Sequence, residues 1–583
     1  MRKCCVFLLI FTIFLAGCSA EVQTSVPVSI VEGEGVTVEN NGLWVEPGED
    51  AVFLLDVPQG YTVGSTDYQG MYQVGMSNGK TILTLKEIRY PTTVRIGLTE
   101  DFAAITFHPN GGDGDAVTEL YDRSIHTRPN TATELFTRDG YTLTGWNTAP
   151  DGSGIRIGLG SRADADNRGI TLYAQWEKWN DASDFRWSEG AGITITGFSG
   201  SGESVVIPET INGKPVTGIA HRAFVNCSAK QVVLPRTMER VAAGAFENCP
   251  LESVVLFDSI LEIRNDSFRN CPDFRTVYIN VAEPPFGYGY RKESVYADKM
   301  DLLIGAAGKR KLVCYGGCSM WYNLDGRMLE EALNGEYTVI NLGLNGLANS
   351  AVQMQIMLPY LEEGDILFHT PELASATQMM RRLSMNEKDD VFWCGVENNY
   401  DLITGVDVQS VPGLLDSFCT YLERKNGTAA YSDVYRDSHG RMYLDQWGGI
   451  PFERTETAQM LSDPVSLAPD CIDAGAMDVL AEYYGHFLEQ GVRVYVGYAC
   501  VNLDAVPEEE RENAELMDIL FQEAVEKMDG PVLISGLSDY LYRNEDFYDT
   551  NYHLLSEDAR ETTNLWIRDI KQQMMTDGLE VAP

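Results

Sequence analysis

Residues whose types suit acyl chemistry gather in the C-terminal half of the chain. Ser319 ends Gly316-Gly317-Cys318-Ser319, directly after the apolar run Lys311-Leu-Val-Cys-Tyr315. Asp549 and His553 share the short segment Asp549-Thr-Asn-Tyr-His553-Leu. A serine hydroxyl is a weak nucleophile and needs an adjacent base. Histidine can act as one near neutral pH. A carboxylate can fix the imidazole tautomer and stabilise the imidazolium. The acyl oxyanion then needs N–H donors aimed at it.

The elements around these residues must bring them together across a long stretch of chain. From about residue 300, apolar runs alternate with helix-length stretches. Thr338-Val-Ile-Asn-Leu-Gly343, Asp365-Ile-Leu-Phe-His369, Arg493-Val-Tyr-Val-Gly-Tyr-Ala499 and Pro531-Val-Leu-Ile-Ser535 read as strands. The stretches from 319 to 333, 350 to 361, 477 to 490 and 508 to 527 read as helices. This is the rhythm of a parallel sheet with helices on both faces. Sites in such sheets lie beyond the carboxyl ends of the strands, where Gly317-Cys-Ser319 falls. A doubly wound sheet can bring a histidine near the C-terminus up to a serine after the first strand.

The region 300–583 resembles the SGNH (GDSL-like) hydrolase superfamily. Gly317-Cys318-Ser319 matches its first block, Gly-Asp-Ser, with Cys for Asp. Asn341-Leu-Gly-Leu-Asn-Gly346 matches its second block, and Asp549-Thr-Asn-Tyr-His553-Leu its last, with one extra residue between acid and base. The resemblance implies a flavodoxin-like fold with Ser319 as nucleophile, His553 as base and Asp549 orienting it. It implies an oxyanion hole from the N–H groups of Ser319 and Gly346. The third block departs from the pattern. His369-Thr-Pro-Glu372 stands where an Asn should offer another oxyanion donor. Loss of one such donor costs about 10²–10³ in rate. Asn345 or the Asn398 loop is a candidate substitute. Glu372 is read either as a ligand for a polar substrate group or as a solvated strand-end carboxylate. Cys318 is read as a small buried residue rather than a reactive thiol. His369, His439 and His486 share no motif, and Glu508-Glu-Glu510 reads as a solvated first helical turn.

The chain begins with a different signal. Arg2 and Lys3 precede the apolar run Phe7–Leu15, which ends in Leu15-Ala16-Gly17-Cys18. A basic start, a short apolar stretch and small residues mark an export signal, and the run is too short to span a bilayer. The ending resembles a bacterial lipobox, which implies lipidation of Cys18 and anchorage at the outer face of the cell membrane. The 583 residues carry 85 acidic and 44 basic side chains, a formal charge of −41, which argues against nucleic acid or an anionic surface as a partner bound by charge. Of twelve cysteines, Cys4 and Cys5 fall in the signal, and no pair has zinc-ligand spacing.

Between signal and hydrolase-like region lie β modules and a repeat. Residues 21–100 hold short β-branched runs (Val26–Ile30, Gly35–Val38, Ala51–Leu55, Lys80–Leu85) separated by turn residues, the pattern of a small sandwich. Residues 101–179 carry Ile105-Thr-Phe-His-Pro-Asn-Gly-Gly112, Gly140-Tyr-Thr-Leu-Thr-Gly-Trp-Asn-Thr148 and Thr171-Leu-Tyr-Ala-Gln-Trp176. They resemble the internalin-type B repeat (Listeria–Bacteroides repeat), a β-grasp-like module of bacterial surface proteins. Tyr141, Leu143 and Gly145 alternate with polar residues as in a half-buried strand. Trp146 and Trp176 are read as core and rim aromatics rather than sugar platforms. Within 180–282, Ala223-Phe-Val-Asn-Cys227 recurs as Ala245-Phe-Glu-Asn-Cys249 and Ser267-Phe-Arg-Asn-Cys271, a period of 22. Ile219, Val241 and Ile263 keep step, as do Val233, Val255 and Val277. This periodicity marks a solenoid, and its phrasing resembles the BspA-type leucine-rich repeat. Cys227, Cys249 and Cys271 then form a buried ladder, with a disulfide or a metal site as the alternative reading. Glu283-Pro-Pro within 283–299 reads as a linker.

Together these readings lead us to expect a lipid-anchored, multidomain surface protein of N-terminal all-β modules, a short solenoid and a C-terminal α/β doubly wound domain. Two functions are expected of it. One is a serine esterase or O-acyltransferase acting on acyl groups of extracellular glycans or wall polymers, with no metal or organic cofactor. The other is a non-catalytic adhesin or scaffold with an extracellular glycan or protein ligand. The segment 374–470 is expected to form an insertion or lid near the site, involving Trp393, Tyr400 and Trp447.

Overall fold

A computed structural model describes residues 25–579 except 34, 59–60, 69–71, 78–79, 101, 123–129, 165–168, 283–294, 346–349, 374–384, 386–389, 398, 428–443, 451–453 and 458–464. Cys18, Gly346, Asn398 and His439 therefore lie outside the described residues, as does most of the expected linker. The chain divides into two compact units, one comprising Met1–Pro58, Thr62–Gly75 and Lys80–Thr99, the other holding nearly all the rest.

In the first unit, Val26–Ile30 pairs with Leu43–Val45 and Thr92–Val94 in one sheet. Thr37–Val38, Glu49–Asp56, Lys80–Ile88 and Tyr72–Ser77 form another. Period-two burial along Glu49–Asp56 turns Ala51, Phe53 and Leu55 inward, where they pack with Val28, Ile30, Leu83 and Leu85.

The second unit opens with a five-stranded mixed sheet in the order Val117–Asp122, Phe102–His108, Ile170–Lys178, Tyr141–Asn147, Arg156–Ile157. Tyr141–Asn147 was expected to be half buried, but Thr142 through Asn147 are all buried. Its polar residues face protein: Thr142 Oγ1 accepts from Trp179 Nε1 at 2.9 Å, and the Thr144 carbonyl accepts from Asn280 Nδ2 at 3.2 Å. Gly145 sits at a register shift with φ 149°, and a Cβ there would meet the Ile157 carbonyl at 2.8 Å. Trp146 is fully buried and donates to the Ala132 carbonyl, and Trp176 donates to the Pro109 carbonyl, each at 2.8 Å. Both are packing residues of this module.

The repeat then forms a solenoid of parallel strands, Ser204–Val206, Gln231–Val233, Ser253–Phe257 and Thr276–Asn280. Its repeated letters have distinct physical tasks. Phe224, Phe246 and Phe268 stack with ring centroids 4.8 and 5.5 Å apart. Asn226, Asn248 and Asn270 take φ of 60°, 60° and 55°, a left-handed turn that Asn tolerates better than most residues. Asn248 and Asn270 each donate to the asparagine one rung before, at 3.1 and 3.0 Å. Between the last two of these strands the 22-residue step breaks. Val277 pairs with Val254, and Val255 faces Tyr278. The loop after Cys271 holds one more residue than the loop after Cys249, and the extra residue moves the last strand by one position.

The C-terminal domain is a five-stranded parallel sheet of β1 (Lys311–Gly316), β2 (Thr338–Asn341), β3 (Ile366–Thr370), β4 (Arg493–Val496) and β5 (Val532–Leu533), in the order 2-1-3-4-5. That order is flavodoxin-like, and its switch point lies between β1 and β3. Helix α1 (Tyr296–Gly305) precedes β1. The stretch after Ser319 is two short helices, α2 (Cys318–Asn323) and α3 (Gly326–Ala332), broken at Leu324-Asp325. The others are α4 (Ser350–Met357), α5 (Asp390–Val396), α6 (Leu414–Gly427), α7 (Ala474–Glu489), α8 (Ala514–Glu526) and α9 (Ser556–Thr576).

Two expectations change here. Residues 295–299, assigned to the linker, begin α1 and are buried. The described part of 374–470 is mostly a brace. Asp416 accepts the Asn265 N–H at 3.1 Å, the Leu415 N–H donates to Asn265 Oδ1 at 3.1 Å, and Gln409 reaches the Cys271 carbonyl, so α6 and the chain before it cover the solenoid. Trp393 and Tyr400 are buried against Phe418. Trp447 packs on Gly326 and accepts the Asn341 N–H at its carbonyl at 2.6 Å.

Candidate functional site

Ser319 is the second residue of α2, placed by the sharp turn out of β1. The two glycines before it are dictated by close approach. A Cβ on Gly316 would meet the Thr370 carbonyl at 2.9 Å, and one on Gly317 would fall on the Glu372 carboxyl. Strand β3 thus ends directly against the serine turn. The second motif ties to the same helix: Asn341 Nδ2 donates to the Met320 carbonyl at 3.0 Å, and its Oδ1 accepts the Gly343 N–H at 2.9 Å. A side chain on Gly343 would strike the Trp321 backbone. The buried Lys299 ammonium donates to the Gly343 carbonyl, and burial holds its pKa well below the ordinary lysine value.

The last motif is a turn before α9. His553 Nδ1 and Asp549 Oδ1 are 2.7 Å apart, with the imidazole buried and the carboxylate partly exposed. The extra residue between acid and base is absorbed by this turn, closed by the Tyr548 N–H donating to the His553 carbonyl at 2.8 Å. Asn502 Nδ2 holds its middle through Asn551 Oδ1 at 2.8 Å.

Asn323, one turn after Ser319, joins the two motifs. Its Nδ2 donates to the Tyr552 carbonyl at 2.8 Å, and its Oδ1 accepts the Leu554 N–H at 2.9 Å, so it grips the backbone on both sides of His553. Tyr322 stacks on the imidazole, with centroids 3.6 Å apart and planes at 10°. Arg454 Nη2 donates to the Tyr322 carbonyl at 2.6 Å and its Nε to the Leu554 carbonyl at 3.0 Å. The Cys500 thiol, just beyond β4, bridges the remaining space. It lies 3.7 Å from Ser319 Oγ and 3.5 Å from the Tyr552 carbonyl. Burial pushes this thiol up to about 12, so it is neutral at physiological pH and does not compete as a nucleophile.

Glu372 Oε1 accepts the Ser319 N–H at 2.9 Å. Glu372 is half-buried, with one carboxylate oxygen engaged by this backbone donor. The carboxylate occupies one of the two backbone donors expected of an oxyanion hole. Asn345 is described and half-buried. A small, narrow cleft is lined by Glu372, Cys500, Tyr552, Leu373, Leu467 and Met517. Its wall is mainly apolar. Val465 and Leu467 are the residues of the 374–470 segment that line it.

The secondary candidates divide. His369 is buried, bonded to Tyr484 OH at 2.6 Å and stacked on Tyr315, and burial lowers its pKa to about 3, so it is a neutral core residue. His486 lies 3.9 Å from Glu489 on α7. Cys318 is half-buried against the core. Glu510 is not simply solvated: it accepts from Ser466 Oγ and the Leu467 N–H at 2.7 and 3.0 Å. Among the described residues, no group of three His, Cys, Asp or Glu is placed to hold a metal, and no helix is long and apolar enough to cross a membrane. Sequence reasoning missed Asn323, Lys299, Arg454 and Cys500. The i, i+4 spacing of Ser319 and Asn323 was the one available signal.

Comparison with known proteins bears on the repeats. Residues 199–283 match the BspA type leucine rich repeat region in six copies, and residues 104–175 match the Listeria-Bacteroides repeat domain. A putative Gly-rich membrane protein of Evansella cellulosilytica is 41% identical over 76 residues, which is 12% of this chain and 8% of that protein. The chain therefore spans less than a tenth of that relative's length. A leucine-rich repeat protein of T. pallidum, known from its crystal structure, aligns at 22% identity over 17% of this chain and 71% of its own, with a TM-score of 0.12. This chain is a multidomain protein carrying BspA-type and Listeria-Bacteroides repeats.

Proposed function

We propose that this is a surface-displayed repeat protein whose C-terminal domain cleaves or transfers acyl esters through Ser319. The observation that carries the reading is the 2.7 Å contact of His553 with Asp549, in a turn that Asn323 clamps to the serine's own helix. In this reading the imidazole, whose Nε2 makes no hydrogen bond to Ser319 Oγ in this structure, closes on the hydroxyl and takes its proton as Ser319 attacks, and Asp549 stabilises the resulting imidazolium. The Ser319 N–H serves the oxyanion once it is released from Glu372, with Gly346 as the second expected donor. The cleft beside Cys500 and Leu467 receives the acyl group, and its apolar wall suits a short acyl chain. The repeats and the export signal favour O-acyl groups on extracellular glycans or wall polymers, and Cys18 is the proposed lipid anchor.

A second reading is a non-catalytic adhesin or scaffold. Glu372 favours it, because its carboxylate sits on the Ser319 N–H and would repel an oxyanion there. Hydrolysis of a chromogenic acetyl ester by the full chain, wild type against Ser319→Ala, tests the first reading. Equal rates in the two would remove it. Glu372→Gln tests the obstruction. In an active enzyme, exchanging the carboxylate for an amide raises the neutral-pH rate on the order of tenfold. A Glu372→Gln protein as inert as Ser319→Ala would support the scaffold.

A further inference from the structure

The solenoid's cysteine ladder is not uniform. Cys249 Sγ donates to the Phe224 carbonyl and Cys271 Sγ to the Phe246 carbonyl, each at 3.0 Å. Both are buried ladder residues. Cys227, on the opening rung, departs from this pattern. Its Sγ donates to Cys249 Sγ at 2.8 Å, and the residue is partly exposed where the other two are buried. Neighbouring rungs of a parallel stack are about 4.8 Å apart, and disulfides span Cα separations of about 4.4–6.8 Å. Cross-linking therefore needs little backbone movement.

The proton distribution suits exchange chemistry. When the Cys249 S–H turns from the Phe224 carbonyl to Cys227, its hydrogen bond lowers the Cys227 thiol to about 7, and the same bond, with burial, pushes Cys249 up. The Ala229 N–H also favours the Cys227 thiolate. One thiol is thus reachable and ionisable near neutral pH, and the other is held in contact behind it.

We propose that Cys227 and Cys249 form a redox-active pair, closed by exchange with a small dissolved disulfide. The Cys227 thiolate attacks one sulfur of R–S–S–R, the S–S bond breaks, and RS⁻ leaves and takes a proton. Cys249 then gives up its proton and attacks Cys227 Sγ. The second RS⁻ leaves with that proton as RSH, and the Cys227–Cys249 bond remains. Two protein thiols lose two electrons, and one small disulfide becomes two thiols. The bond staples the first two rungs of the solenoid. Cys271, seated on its carbonyl, stays reduced.

The test uses the full folded chain incubated with oxidised glutathione, then alkylated and mapped by mass spectrometry. The expected result is a linkage between the peptides holding Cys227 and Cys249, reversed by dithiothreitol and unaffected by Cys271→Ser. Cys249→Ser should stop at a mixed disulfide on Cys227, and Cys227→Ser should abolish both products. Before oxidation, Cys227 should alkylate on the order of tenfold faster than Cys271. Full alkylation of Cys227 and Cys249 after incubation, or a link that forms only in denaturant or joins Cys249 to Cys271, would overturn the proposal.

Discussion

Asn323 makes one object of the serine helix and the histidine turn. Its amide satisfies one carbonyl and one N–H on either side of His553, and both would lose a partner in a buried site if it were removed. Asn323→Ala should cost about 1–3 kcal/mol of stability. In the active reading it should lower kcat by about 10²-fold with little change in KM, because it moves the base and not the acyl pocket. Steady-state kinetics beside urea unfolding checks both parts. His369 carries a different prediction. Its folded pKa is depressed from 6.5 to about 3 by burial. A depressed value means that the neutral ring's contribution is complete above pH 6.5 and is lost as pH falls toward 3. Each pH unit in that window removes about 1.4 kcal/mol. Urea unfolding of wild type and His369→Phe from pH 7 to 4 should show the wild type losing more stability. Parallel losses would show that the imidazole is not the group responsible. Neither residue's role was legible in sequence, since an isolated Asn or His has no period and its partners lie far along the chain.

Among the elements, the turn carrying Ser161-Arg162 and the start of α1 are joined by a buried ion cluster. The Arg162 guanidinium contacts Asp298 and Asp301, each at 2.5 Å, with all three side chains nearly inaccessible. Asp401 accepts the neighbouring Gly158 N–H at 2.7 Å. Replacing Arg162 by Ala leaves two carboxylates in a site without their cation. We expect a loss of about 3–5 kcal/mol, read as a lower urea midpoint for the second unit. A midpoint unchanged from wild type would mean that water reaches the carboxylates. The solenoid was the most legible element, because a 22-residue period repeats the same packing task at Phe, Asn and Cys. The one-residue shift at Val277 escaped notice because the Phe-x-Asn-Cys phrase remains intact before the longer loop. Strand Tyr141–Asn147 misled for a different reason. Its alternation was real, but its polar side chains found partners in Trp179 and the Gln175 carbonyl instead of water.

For the whole molecule, the modules of the second unit share cores. One continuous apolar cluster runs from Phe185 in the solenoid to Met574 in α9, and the core of the preceding β module includes Phe257 and Ala282 of the solenoid. A fragment of residues 295–583, which keeps α1 whole, should therefore lose cooperativity. It would expose the surface that α5, α6 and the chain between them present to the solenoid. Residues 100–583 should retain a single sharp transition. Thermal unfolding of the two fragments compares them directly, and equal cooperativity would mean that the shared core is dispensable.

The sequence by itself determined the local and periodic features. These are the β modules, the repeat, the alternation of strands and helices, and the three motifs with their order along the chain. Each depends on side-chain period, turn chemistry or short spacing, which neighbouring residues encode. Only the tertiary structure decided which long-range contacts form. It set Glu372 on the serine N–H, Asn323 around His553, Cys500 between serine and histidine turn, and Arg162 between two carboxylates. Those contacts depend on where β1, β3, β4 and the last turn converge, and that convergence follows from the packing of all the elements together.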